Sequence, residues 1–404
     1  MFQARHLKID CVPAHFPLSM LASIVKEDPL NDTDFRLDVI RGPVAPKKLN
    51  ARAIAALTSN PGCARRAVLD AASVDKQALA EHIGYPPRFG LSQFAIARGN
   101  AFEAFVKANG CAELLRLLRD RLGLPLPEVS YDDLNSVAGH ETMEARYRRS
   151  RQLLARAARC DADSGTLFDH PLLQMMIAGR TVYLEPDLVA FQLRNQFHVV
   201  EIKSFPVIDG RADPGKVAAA ATQSAVYVLA LRGLLKELGA DPAMVSDEVF
   251  LVCPQDFSNR PTAARVDVRK QLSVLQRQLA RIARVGTLVS ALPVGLTLDL
   301  RIDGAGVPTR PVDELVDTLS QIEARYAPEC LATCEMAFFC RAGAHGCTAA
   351  LGRSVQEDLG GVETVAAALG LASGTRDPGE HEREAAEVLQ LAERLRRECL
   401  GGVA

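Results

Sequence analysis

The spacing of apolar residues changes along the chain. Over residues 51–160 they recur every three to four positions. Residues 51–58 before Pro61, then ARRAVLDAA, LSQFAIARGNAFEAFVKANG, CAELLRLLRDRLGL and ETMEARYRRSRQLLARAARC, predict helices, with Gly110 as the C-cap of the third. The period then falls to two. TVYLEPDLVAF and FHVVEIKSF predict a hairpin across the polar QLRNQ. After the loop IDGRADPG, VAAAATQSAVYVLALRGLLKELG predicts a long helix ending near Gly239. EVFLVCP predicts a strand, and VDVRKQLSVLQRQLARIARV an amphipathic helix. VDELVDTLSQIEARY leads into a cysteine-rich stretch. Near the start, HLKIDCV and FRLDVI read as short strands. Near the end, GTRDPGEH reads as a linker before the amphipathic REAAEVLQLAERLRRECL, which either packs on the core or offers a partner surface. Strand, strand, helix, strand with helices outside predicts a mixed α/β core. The expected divisions are a strand-containing region at 1–50, a main domain at 51–350 and a helical tail at 351–404.

Composition narrows the picture. The 404 residues are 48% hydrophobic and 24% charged, as in globular proteins. No apolar run is expected to reach the ~20 residues that cross a bilayer. MFQARHLKIDCVPAHF lacks a secretory apolar region, so a cytoplasmic protein without a membrane partner is expected. A net charge of −2 excludes coating of nucleic acid by bulk charge and leaves only local basic patches. The 10 cysteines, in a reducing compartment, point to metal where they cluster. Cys11, Cys111, Cys160, Cys253 and Cys399 are scattered and read as incidental thiols.

Chemistry concentrates in EPDLVAFQLRNQFHVVEIKSF. Asp187 is expected on the first hairpin strand, with Glu201 and Lys203 on the second. Alternation puts Glu201 and Lys203 on one face and Ile202 on the other. Two converging carboxylates suit Mg²⁺ or Mn²⁺, which take hard oxygen ligands. A lysine beside them can orient or help deprotonate a water and hold a phosphate. By itself E-x-K also reads as an ion-paired strand face. Gln223 and Tyr227, four apart, share a face of the following helix.

The order Pro186-Asp187, Glu201-Ile202-Lys203, then Gln223-x3-Tyr227 resembles the PD-(D/E)xK nuclease superfamily, in its RecB-like branch. An earlier helical motif of that branch matches RGNAFEAFV at Gly99 and Glu103, but Phe102 stands where its histidine falls. Either Glu103 supplies the extra metal ligand or the site binds with one ligand fewer. A lone Cys63 in C-A-R-R-A-V-L (with Arg65, Arg66 and Leu69), followed by Cys330, Cys334 and Cys340, resembles the iron–sulfur subgroup. That subgroup includes CRISPR-adaptation exonucleases and AddB-type nuclease domains. The resemblance implies a restriction-endonuclease-like mixed sheet flanked by helices, with a helical N-terminal region, a cluster lobe and a helical tail. It implies a [4Fe–4S] centre on Cys63, Cys330, Cys334 and Cys340. The first gap is x3 rather than x2, and Cys347 can replace Cys330. Cys330, Cys334, Cys340 and Cys347 can alternatively close a zinc site without Cys63.

The resemblance further implies a metal-dependent deoxyribonuclease, an exonuclease on single-stranded or end-exposed DNA. Asp187, Glu201, the Ile202 carbonyl and Glu103 would hold the metal. Lys203 would help the attacking water, Gln223 would orient the site, and Tyr227 would support the strand. Repair, CRISPR adaptation or phage defence is the expected setting, with a helicase or other defence or repair protein as partner and an oligomer as an option. Arg146, Arg148, Arg149 and Arg151, together with Arg277 and Arg281, crowd two helices and read as phosphate contacts or as solvated faces. Two rivals stand beside this reading. One is a catalytically weak or inactive nuclease-fold DNA-binding or scaffold subunit, kept open by Phe102. The other is a zinc-binding regulator.

Overall fold

The computed structural model describes residues 33–401, apart from 48, 59, 61, 89–92, 123–130, 135–141, 160–166, 178–179, 194–195, 257 and 283–284. The expected strand HLKIDCV, Cys11 and Cys160 lie outside the described residues. In chain order the elements are α1 (Thr33–Arg41), α2 (Ala51–Ala56), α3 (Ala64–Ala71), α4 (Lys76–His82), α5 (Gln93–Leu122), β1 (Tyr131–Asp133) and α6 (Met143–Ala158). Then come β2 (Leu167–Asp169), β3 (Leu173–Ile177), β4 (Arg180–Leu184), β5 (Leu188–Leu193), β6 (Gln196–Ile202), α7 (Pro214–Glu237), β7 (Glu248–Pro254) and β8 (Pro261–Asp267). The chain continues through α8 (Arg269–Ile282), α9 (Val285–Ser290), α10 (Val312–Ser320), α11 (Cys330–Thr333), α12 (Ala337–Gly343), α13 (Arg353–Asp358), α14 (Val365–Ser373) and α15 (Arg383–Gly401).

The expected mixed α/β core is present. A six-stranded sheet runs in the order β1-β2-β5-β6-β7-β8. β5 and β6 form the anticipated antiparallel hairpin, and β6 and β7 run parallel because α7 crosses between them. Strand alternation sorts the side chains of β6. Phe197 and Val199 join the core under α7, α8, α6 and α2. Val200 and Ile202 pack under α5 on the other face. α7 starts where Pro214 follows the N-cap Asp213, whose carboxylate accepts the Lys216 N–H at 2.8 Å. With 24 residues, α7 is long and apolar enough to cross a membrane, contrary to the sequence expectation. Leu231, Leu234 and Leu235 are nonetheless buried in the core, the ordinary place for such a helix.

Three expectations on secondary structure change. FRLDVI is helical, in α1, because Leu37 and Ile40, three apart, share one buried face in a core with α3 and α9. TVYLEPDLVAF is not one strand: Pro186 cannot donate to a ladder, and the chain leaves β4, paired with β3 in a separate two-stranded sheet, before it enters β5. The VDV of the expected VDVRKQ helix ends edge strand β8 or lies just past it, and α8 starts at Arg269. The stop predicted near Gly110 holds, since α5 is interrupted at residues 108–111, where Asn109, Gly110 and Cys111 have φ of 52°, 63° and 62°.

A second core lies beside the sheet and is built from two distant stretches. α1, α3 and α4 contribute Leu37, Val68, Leu69 and Leu79. α9, α10 and the cysteine segment contribute Val285, Leu315, Leu319, Cys330 and Cys334. The described part of the supposed 1–50 region therefore belongs to this helical lobe. Stretches on either side of the α/β core in sequence fold together. α14 and α15 form a small tail core of their own with Leu359 and Val362, tied to the lobe where Thr348 Oγ1 donates to Val362 O at 2.5 Å.

Candidate active site

The hairpin register sets Leu188 opposite Val200, which places Asp187 level with Glu201 at the end of the sheet. Asp187 directly precedes β5 rather than lying within it, and Lys203 directly follows β6. Asp187 Oδ2 accepts the Ile202 N–H at 3.0 Å, so backbone geometry fixes this carboxylate. Glu201 is wholly buried. Its Oε1 touches the Lys203 ammonium, and its Oε2 accepts no hydrogen bond among the described residues. A buried carboxylate oxygen with no donor is costly unless something positive meets it.

The electrostatics follow from this packing. Burial, then the neighbouring Asp187, pushes the Glu201 carboxyl from 4.5 to about 8 despite Lys203. Burial also raises Asp187, with Lys203 pulling it back and Glu103 pushing further. Burial would lower Lys203, but Glu201 and Asp187 outweigh it and hold the ammonium charged. Two acids that resist ionisation beside one cation, with a free carboxylate oxygen, suit an added divalent cation. Asp187, Glu201 and the Ile202 carbonyl are the groups that would hold it.

Glu103 reaches this site from α5, but not alone. Lys107 Nζ donates to Glu103 Oε1 at 2.7 Å and to the Asp187 carbonyl at 2.7 Å, and sits 2.6 Å from Asp169 Oδ1. His170, just past β2 with φ of 51°, faces Asp169 Oδ1 at 2.8 Å through Nδ1 and Glu103 Oε1 at 3.2 Å through Nε2. Tyr131 donates to Asp169 Oδ2 at 2.5 Å. Burial would lower His170, but the two carboxylates raise it to about 9. The His170 hydrogen bond, aided by Lys107, brings Glu103 down to about 2. Asp133, Asp169 and His170 bring three ligand atoms within 4.8 Å of one another, but Lys107 already supplies the cation there.

Phe102, at the position of the missing histidine, is buried in the core beneath α5. An imidazole is supplied beside Glu103 all the same, by His170 from another element. Lys107, Asp169 and His170 were missed from sequence. The only local signal was the acid–histidine pair in LFDHP, and β2 is too short to show alternation.

Gln223 and Tyr227 meet as predicted, with Gln223 Nε2 donating to Tyr227 Oη at 3.2 Å. Tyr227 is buried. Burial raises its phenol, and Glu201, then Asp187 and Glu185, add to this against the hydrogen bond from Gln223. Arg146 pairs with Glu185, so the start of α6 reaches the edge of the site. Arg148 is exposed, and Arg149 and Arg151 are half-buried farther along α6. Arg277 and Arg281 are exposed on α8. That helix starts beside Asp267, which pairs with Glu248 at the end of β7 away from Lys203.

The lone Cys63 N-caps α3 without donating or accepting a capping bond. Arg65 fastens this turn to the late cysteines. It donates to Ile322 O at 3.2 Å, Leu319 O at 2.9 Å and Cys340 Sγ at 3.3 Å, and stacks 5.2 Å from the Phe339 ring. Asn60 donates to Cys330 Sγ at 3.1 Å. Burial raises the Cys340 thiol against the pull of Arg65, and Cys63 and Cys330 add slightly to the rise. Cys334 is buried in the same lobe near Arg66 and Lys76, its thiol pushed up to about 12 by burial. Cys347 is exposed and bridges by backbone to Thr364 of the tail. Two of these sulfurs receive N–H donors, as thiolate ligands of a metal do, but no three cysteine sulfurs among the described residues lie within 4.8 Å of one another. Cys111 and Cys253 are buried, unlinked thiols, each pushed up to about 12 by burial.

Comparison with protein-family models, curated proteins and solved structures returns no match for this chain.

Without metal, the buried Glu201 carboxyl makes stability depend on pH. A carboxyl raised on folding contributes stability that is complete below pH 4.5 and lost as pH rises through about 8. His170, raised from 6.5 to about 9, adds a loss in that upper window. The chelated protein should thus melt at lower temperature as pH goes from 5 to 9. Glu201→Gln should flatten the fall below pH 8, and Mn²⁺ should raise Tm in the wild type but not in this variant. Calorimetry across that range checks both; a Tm of Glu201→Gln that falls as steeply as the wild type's refutes the assignment of the penalty to Glu201.

Proposed function

We propose that this chain is a metal-dependent deoxyribonuclease with a RecB-like, restriction-endonuclease-like PD-(D/E)xK core and a cysteine-bound [4Fe–4S] cluster. The observation that carries the reading is Glu201. Its carboxylate is fully buried, level with Asp187, against Lys203, and has one oxygen without a donor. A folded protein does not keep such a group without use, and perturbed acids gather where chemistry is done.

When bound, Mg²⁺ or Mn²⁺ neutralises charge on the scissile phosphate and acidifies a water. The chain's own groups do the rest. Asp187 is fixed by the Ile202 N–H and Glu201 by the strand, so the two point at one place. Lys203 stays an ammonium, so it orients the attacking water and the phosphate oxygen rather than accepting a proton. Tyr227, held by Gln223, is buried within the electrostatic reach of the acids and would support the strand there. Glu103 is a ligand in reserve, held by Lys107 and His170 until a metal competes for it. Arg146 marks the side on which the DNA backbone would approach.

The test is cleavage of end-labelled single- and double-stranded DNA by protein purified without oxygen, with Mn²⁺, Mg²⁺ or chelator. Metal-dependent cleavage that Asp187→Asn removes is expected. Cleavage that survives in Asp187→Asn overturns the site, and cleavage that is absent with either metal overturns the reading and favours the scaffold alternative.

A further inference from the structure

α15 carries an apolar stripe that no other described residue covers. Its inner face is used: Ala386 is buried, Leu389 packs into the tail core, and Gln390 donates to Leu371 O at 3.2 Å. Its outer face shows Val388 at 63%, Leu391 at 47% and Leu395 at 50% exposure. With the exposed Ala392, these stand at i, i+3, i+4 and i+7, the spacing of a seam that meets another helix.

The charges beside the stripe name the occupant. Glu387 and Arg394, seven residues apart, lie on one flank, and both are exposed without an ion pair among the described residues. Glu393 by contrast is taken up by Arg396 and Arg397 of its own helix. Two copies of α15 laid antiparallel about Leu391 and Ala392 set Val388 against Leu395. In that register each Glu387 lies on the same flank as an Arg394 of the partner, offset along the axis by two residues or about 3 Å. The small Ala392 at the centre lets the backbones approach. Parallel pairing would instead level like charges with one another and bring Cys399 against Cys399.

We infer that the C-terminal helix is a homodimerisation surface, pairing antiparallel with α15 of a second copy of this chain. This is independent of the nuclease reading. Sedimentation of the full chain across a concentration series tests it. A reversible monomer–dimer equilibrium is expected. Leu391→Glu with Leu395→Glu should give a monomer at every concentration, with unchanged circular dichroism showing that the fold is kept. Glu387→Arg should weaken the dimer by about tenfold or more, because each arginine then shares a flank with Arg394. Adding Arg394→Glu should restore it. A wild type that stays monomeric at its highest soluble concentration overturns the inference, as does a charge swap that fails to rescue. A Cys399–Cys399 disulfide formed on mild oxidation of the dimer would show the parallel arrangement and overturn it too.

Discussion

Lys203→Ala should lower Mn²⁺-dependent DNA cleavage by roughly 10²–10⁴-fold, the range in which a positioned group acts on proton and phosphate transfer. It should also destabilise the metal-free protein, because Lys203 is the one cation touching the buried Glu201 carboxylate among the described residues. Breaking a buried pair by removing one partner costs on the order of 3–5 kcal/mol. Here the acid has an escape. Lys203 restrains the Glu201 carboxyl at about 8, and without it the group stays protonated to still higher pH. The loss should therefore grow as pH rises and be smallest in acid. The double variant Lys203→Ala/Glu201→Gln separates the two roles. It should regain most of the lost Tm, since an amide needs no counter-ion, and none of the activity. Melting curves and single-turnover cleavage on the same three proteins check this. A Lys203→Ala protein that cuts at the wild-type rate removes the lysine from the chemistry. A double variant no more stable than the single one removes Glu201 as the source of the cost.

What could be read in advance was short-range. Asp187, Glu201 and Lys203 lie on or beside one hairpin, so a period of two and one turn sufficed to bring them together. Gln223 and Tyr227 were legible for the same reason, as an i, i+4 pair on one helix. The network of Lys107, Asp169 and His170 was not. It joins α5 to the end of a three-residue strand, and neither element carries a pattern that names the other. At Phe102, where the motif's histidine falls, the structure places a core side chain, and the imidazole beside Glu103 comes from His170, just past β2.

The fold shows the same division. α7 and β7 were predictable because each is apolar throughout and ends at clear stop signals. β8 was hidden by its polar composition, which its edge position permits, since only one side needs a partner strand. FRLDVI fits both periods, and only packing against α3 and α9 decides for helix. The lobe could not be anticipated as a unit, because its two halves lie on either side of the α/β core in sequence.

That lobe carries the other large effect. Cys63→Ala should bleach the brown colour of anaerobically purified protein, remove its iron, and cost about 3–5 kcal/mol of lobe stability, as for other crosslinks that close a long loop. The reason is topological. Arg65 and Asn60 already hold the α3 turn against Cys340 and Cys330, so a metal centre there would fasten the N-terminal half of the lobe to the C-terminal half. Cys347→Ala should change neither iron nor Tm, because Cys347 is exposed and pairs with the tail through its backbone. These two variants also decide the metal. A zinc site made from Cys330, Cys334, Cys340 and Cys347 reverses the result: Cys63→Ala keeps its metal, Cys347→Ala loses it, and both proteins are colourless. Acid should release the centre in either case. Burial pushes the Cys334 thiol up to about 12 and raises Cys340, so binding must expel protons, and the metal-bound lobe grows weaker as pH falls. Iron and zinc content measured alongside thermal unfolding at two pH values would establish which sulfurs do the holding. Iron retained at wild-type level in Cys63→Ala would refute the four-cysteine cluster that bridges the lobe.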